Sequence, residues 1–254
     1  MRFGAQLHQG QAWVVGASQG IGLAFVRALL ADDRVAQVYA TYRQPQTAAR
    51  LLALQPHPKL TCVVMDATDE GQIAAAIAQI QQSSDRLDWL INCVGFLHDA
   101  THQPEKSLRQ ISAEQLLTYF QVNTIPTALL AKHALPLLKA SPASLLATLS
   151  AKVGSISDNR LGGWYGYRAS KAALNMVLKT IAIEYSRKSP RTIVAALHPG
   201  TTDTRLSQPF QRNVPPEKLF APERTVDQLL AVMAGLTIAD SGEFFSWDGS
   251  RLPW

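Results

Sequence analysis

The chain has 254 residues, 47% of them apolar and 17% charged, which excludes a disordered polymer and leaves room for one large α/β core or two small ones. No apolar run reaches the ~18–20 residues that cross a bilayer, and Met1 to Gly10 lacks the apolar centre of a secretory signal, so a cytoplasmic protein off the membrane is expected. The net charge of +5 is spread over singly placed Lys and Arg with no basic block, which argues against a nucleic-acid partner.

In chain order, the apolar run Ala12-Trp13-Val14-Val15 reads as a strand. It is followed by Gly16-Ala-Ser-Gln-Gly-Ile-Gly22 and an amphipathic helix from Leu23. A strand, a glycine-rich turn and a helix make an anion cradle. Glycines admit backbone N–H groups close to a phosphate, and the helix N-terminus adds about half a positive charge. A second strand, Val35 to Tyr42, ends at Arg43, and a helical run covers Thr47 to Leu54. Strand three, Leu60 to Met65, ends at Asp66, and Ile73, Ile77 and Ile80 give the helical spacing of Glu70 to Gln82. Strand four, Leu87 to Ile91, ends at Asn92. A polar loop, Gly95 to Arg109, leads to an N-cap at Ser112 and one long helical pattern reaching about Leu138. Strand five is Ser144 to Ser150, and a helix spans about Tyr165 to Arg187. Strand six, Thr192 to Leu197, ends at Pro199-Gly200. Thr201 to Pro222 reads as irregular, with four prolines. A helix from Val226 to about Leu236 and a strand near Glu243 to Ser246 complete the pattern.

Strands and helices alternate without a linker or a repeat. This predicts a single domain over 1–254, a doubly wound parallel sheet of about seven strands with helices on both faces. Ligands of such sheets bind beyond the carboxyl ends of the strands, which marks Gly16, Arg43, Asp66, Asn92, Ser150 and Pro199. A carboxylate after strand two would suit the ribose hydroxyls of NAD. Tyr42 and Arg43 stand there instead, and a guanidinium suits a 2′-phosphate, which favours NADP(H) over NAD(H); the alternative is a solvated strand-end arginine. Asp66 is placed to accept from the adenine amino group or to cap the helix after Thr68. Tyr167 and Lys171 lie four apart on one helix face. An ammonium ~5 Å from the phenol is expected to lower its pKa and make it an acid–base group at neutral pH.

Taken together, Gly16 to Gly22, Asn92-Cys-Val-Gly95, Asn123, Tyr167 to Lys171 and Pro199-Gly-Thr-Thr-Asp-Thr204 resemble the short-chain dehydrogenase/reductases along the whole chain. The runs Gly154 to Asn175 and Trp247 to Trp254 resemble their C-factor-like carbonyl reductases. The resemblance implies a Rossmann-type fold and an oxidoreductase that reduces a small carbonyl compound, or oxidises the alcohol. It implies Tyr167 as the acid–base residue, Lys171 on the nicotinamide ribose, and Asn123 holding a relay water and bending its helix. Gly16, Ser18, Gly20, Ile21, Gly22, Arg43, Asp66, Asn92 and Gly95 would line the cofactor groove, and Pro199, Gly200, Thr202 and Thr204 would grip the carboxamide. It also implies a homodimer or homotetramer built through two long central helices.

One position departs from the pattern. The family serine after strand five is Ala151 here, in Ser150-Ala-Lys-Val-Gly154, and Ser150 should face the opposite way. Ser155 and Ser157 are the nearest substitutes. The rival reading is therefore a dinucleotide-binding regulatory or signalling protein with weak or no turnover. Leu206 to Phe220 is expected to form a lid, with Trp164 a candidate wall of the site. His98, His102 and His198 are read as loop or structural residues, Cys62 and Cys93 as buried thiols of a reducing compartment, and no metal-ligand spacing is present.

Overall fold

In the computed structural model, which describes residues 9–254, seven parallel strands form one twisted sheet. They are β1 (Gly10–Val15), β2 (Val35–Tyr42), β3 (Leu60–Val64), β4 (Trp89–Asn92), β5 (Ser144–Leu149), β6 (Thr192–His198) and β9 (Glu243–Ser246). Their order is β3-β2-β1-β4-β5-β6-β9, so the chain reverses its winding between β1 and β4. Most of the N-terminal stretch read for a secretory signal lies outside the described residues.

Alternate residues of each strand feed two cores. Ala12 and Val14 of β1 pack with the helices α1 (Gly20–Ala31) and α7 (Pro222–Gly235) through Leu23, Val26, Leu29, Val226 and Leu229. Trp13 and Val15 pack on the other face with α3 (Glu70–Gln81), α5 (Ile125–Ala140) and α6 (Tyr165–Lys188) through Ile73, Ile77, Leu130, Leu174 and Leu178. This two-sided burial is why the strands read as continuous apolar runs. Among the described residues, no helix is long and apolar enough to cross a membrane.

Four expectations change. The long pattern from Ser112 is two helices, α4 (Ala113–Asn123) and α5, separated at Thr124. Pro126, in the first turn of α5, has no N–H to offer the carbonyl four residues back, which removes one bond across the junction. The stretch after Pro199 is not wholly irregular, because β7 (Thr201–Thr202) pairs in parallel with β8 (Leu219–Phe220). Helix α2 covers only Ala49–Leu52 after a 3₁₀ turn at Pro45–Thr47, while α7 starts four residues early because Pro222 is tolerated in a first turn.

Candidate active site

The glycine turn after β1 is built as the motif demands. Gly16 sits at φ +79, and a Cβ there would lie 3.0 Å from Val94 Cγ2. A Cβ on Gly22 would lie within 2.2 Å of the Gly16 carbonyl oxygen, so only glycine lets α1 start this close to the strand. The α1 N-terminus has no side-chain cap from Gln19 and no acid in its first turn. Ser18 has no hydrogen-bond partner among the described residues, and Ile21 packs against the core beneath. Open N–H groups and a positive helix end fit a pyrophosphate. The loop after β6 closes over this turn: Thr204 Cγ2 lies 3.2 Å from the Cβ position of Gly20.

At the other end of the groove Arg43, whose side chain is 63% exposed, lies 3.9 Å from Asp66. One Asp66 oxygen accepts from both the N–H and the hydroxyl of Thr68, at 2.9 and 2.8 Å, while the α3 cap is Asp69, which accepts from Gln72 N–H. Asp66 therefore shapes the turn, leaving its other oxygen toward Arg43.

Across the switch point, Asn92 accepts from Val94 N–H and donates to Thr127. The Cβ position of Gly95 is 3.7 Å from Lys171 Nζ and 3.8 Å from Asn123 Oδ1, so three residues distant in sequence converge. Asn123 is locked by Phe96: its Oδ1 accepts from Phe96 N–H at 2.7 Å, and its Nδ2 donates to the Phe96 carbonyl at 2.9 Å. Nδ2 also donates to Ser170 Oγ at 3.0 Å. Pro199 and Gly200 turn the chain after β6, but Thr202 pairs its hydroxyl with Thr225 inside the fold.

Tyr167 and Lys171 are both buried, with Nζ 5.9 Å from the phenol ring centroid. Lys171 donates to the Leu149 carbonyl at 3.0 Å and keeps further N–H donors for a ligand. The Tyr167 hydroxyl has no hydrogen-bond partner among the described residues, yet is not sealed from solvent. Here the sequence expectation fails in sign. Burial pushes the Tyr167 phenol up, not down, and pushes Lys171 down to about 8. Desolvation penalises both charged forms, and outweighs an ammonium held this far from the ring.

Tyr167 belongs to a third apolar cluster with Leu97 and Tyr119, against which Phe96, Ala151, Val153, Trp164, Leu206 and Phe210 pack. Trp164 and Phe210 rings meet at 4.9 Å, bringing the wall and the expected lid together. His98 ties the lid down, its Nε2 lying 3.2 Å from the carbonyls of Arg205 and Leu206. Ala151 presents a methyl where a hydroxyl was sought. Ser150 does face away, donating to Asn175 at 2.6 Å. Ser157 donates to the Trp254 carbonyl, and Ser155 is buried and accepts from Asp158 N–H, so neither contacts Tyr167 through a hydrogen bond. His198 is pushed down to about 4 by burial and accepts from Lys152 N–H. Both cysteines are free and half-buried, and burial pushes both thiols up.

A family model described as short chain dehydrogenase matches residues 11–215. The chain belongs to this family. Among its short-chain dehydrogenase relatives, a benzil reductase ((S)-benzoin forming) of Saccharomyces cerevisiae is 31% identical over 211 residues, 80% of this chain and 76% of that protein. The C-signal protein of Myxococcus xanthus is 30% identical over 148 residues, 58% of this chain and 84% of that one. The NADPH-bound carbonyl reductase from chicken fatty liver superposes with a TM-score of 0.86 at 30% identity, covering 97% of this chain and 99% of that structure. The chain is thus an oxidoreductase-family member with carbonyl-reductase relatives and a nicotinamide dinucleotide fold.

Sequence reasoning missed the roles of Glu105 and Ser170. Their roles depend on loops meeting across the sheet edge, and no spacing rule reaches that far.

Proposed function

We propose that this protein is an NADP(H)-dependent reductase of small, uncharged carbonyl compounds, acting as one cytoplasmic domain. The observation that carries the reading is the unpartnered Tyr167 hydroxyl on the wall of an apolar, aromatic cluster, with Lys171 behind it. When bound, the nicotinamide dinucleotide supplies the hydride. Tyr167 donates its proton to the carbonyl oxygen as that oxygen gains charge. Lys171 would offer its spare donors to the ribose, and Asn123 keeps the loop after β4 in register. Trp164, Leu206 and Phe210 exclude water and favour apolar, aromatic substituents. Kinship with a benzil reductase supports aryl ketones and diketones as the first compounds to test. Arg43 supports the phosphorylated cofactor.

The test is loss of NADPH absorbance with a panel of aldehydes, aryl ketones and diketones. Ala151 favours a second reading, a dinucleotide-binding regulatory protein, in keeping with C-signal kinship. Tight NADPH binding without turnover of any panel member would select it. Restoring the hydroxyl with Ala151→Ser is expected to raise kcat on the order of a hundredfold if the missing donor limits the rate. No gain would show that the alanine is not the limitation.

A further inference from the structure

The helix that carries Tyr167 does not cap itself. Trp164, at its N-cap, has left-handed backbone (φ +52) and makes no side-chain cap, and the first turn holds no acid. The missing acceptor comes from the loop after β4. Glu105 is 1% exposed, and one of its carboxylate oxygens accepts from Gly166 N–H at 3.1 Å. The other accepts from Gln115 Nε2 at 2.9 Å, and the Glu105 carbonyl accepts from Trp164 N–H. No Lys, Arg or His pairs with this carboxylate among the described residues. A buried, unpaired carboxylate is retained at a cost, met here by two N–H donors and the positive end of α6. Gly166 completes the clamp: a Cβ there would meet Tyr119 Cδ2 at 2.3 Å and Glu105 Oε1 at 2.9 Å.

We propose that Glu105 is a positioning residue that holds the first turn of α6, and so sets where the Tyr167 hydroxyl and the Trp164 wall stand in the site. This rests on the acid–base reading of Tyr167. A clamp one residue away matters because a displacement of about 1 Å at a reacting group can lower a rate on the order of a hundredfold.

Two variants of the full-length protein separate reach from charge. Glu105→Asp keeps the charge but shortens the arm, withdrawing it from Gly166. Glu105→Gln loses the charge but keeps an oxygen at the same reach of Gly166 N–H, and Gln115 can turn its own amide to match by giving up its bond to the Gln103 carbonyl. The Asp variant is expected to lose roughly tenfold to a hundredfold in kcat, with NADPH affinity unchanged, while the Gln variant stays close to wild type. Hydrogen–deuterium exchange should rise in the Asp variant across residues 165–168 and not beyond, and stay at wild-type values in the Gln variant. An Asp variant with wild-type kcat, a loss that follows NADPH affinity, or a Gln variant as impaired as the Asp one would overturn the assignment. If wild-type protein turns over no panel member, the proposed function falls. The exchange measurement then decides: loss of protection confined to 165–168 upholds the clamp, and unchanged or global exchange removes it.

Discussion

Lys171 is the side chain whose energetics and function pull apart. Buried and pushed down to about 8, it carries its charge at neutral pH against a desolvation penalty. In the unfolded chain it would hold its proton to about 10.5. Below pH 8 the full penalty applies, about 3 kcal/mol at 1.36 kcal/mol per pH unit. Between pH 8 and 10 the unfolded state binds more protons than the folded one, so this contribution improves as pH rises. Lys171→Met is therefore expected to raise stability in urea denaturation at pH 7, less the bond to the Leu149 carbonyl, and to abolish turnover. The stability gain should shrink from pH 8 toward pH 10. A gain independent of pH would mean that Lys171 does not lose its proton early in the folded state. Above pH 10 the raised phenols of Tyr119, Tyr167 and Tyr185 act in the opposite direction, because the unfolded tyrosines then release protons first.

Arg43 gives the second single-residue prediction. Its guanidinium is exposed and loosely oriented by Asp66. Arg43→Ala is expected to raise KM for NADPH by tenfold or more, as for loss of a charged hydrogen bond worth about 1.5–3 kcal/mol, and to leave KM for NADH nearly unchanged. The two constants compared before and after substitution decide it, and an unaltered ratio rejects the 2′-phosphate assignment. Both residues were legible in the sequence as candidates. The direction of the Tyr167 shift was not, because residue spacing reports a neighbouring charge but says nothing of the water removed around it.

Among the elements, the β1–α1 turn is the most constrained. Gly22→Ala places a methyl against the Gly16 carbonyl and must push α1 off the strand. Overpacking of this kind costs about 1–3 kcal/mol, and the displaced N–H groups should weaken NADPH binding at least as markedly as stability. Calorimetric titration and thermal denaturation of the variant check both effects. Wild-type affinity would show that the turn does not hold the phosphates. This turn was readable beforehand because its geometry is local. The break between α4 and α5 was only half readable: Pro126 stands in the sequence, but the bonds from Asn123 to Phe96 and Ser170 that hold the break come from distant segments. The β7–β8 pair escaped notice because two-residue strands carry no periodicity to detect.

For assembly, one face of α6 carries two exposed apolar side chains seven residues apart. Met176 and Ile183 are 68% and 54% exposed, and Met176 lines a groove between α5 and α6 with Ala128, Leu135 and Val177. We expect two copies to meet there. Light scattering after size exclusion should give a multiple of the 27.7 kDa chain mass, and the double substitution Met176→Glu with Ile183→Glu should return it to one copy. A wild-type mass of a single chain would refute the interface.

Read as a string, the residues already carried the alternation of strands and helices, the glycine cradle, and the pairing of Tyr167 with Lys171. Each depends on periodicity or on neighbours within a few positions, which the covalent chain enforces. Folding in space supplied the rest. It brought Gly95, Asn123 and Lys171 to one point, set Trp164 against Phe210, and turned Glu105 onto the helix of Tyr167. Those contacts join segments separated by tens of residues, and their energies come from burial, which has no meaning until the two cores and the loops above them are closed.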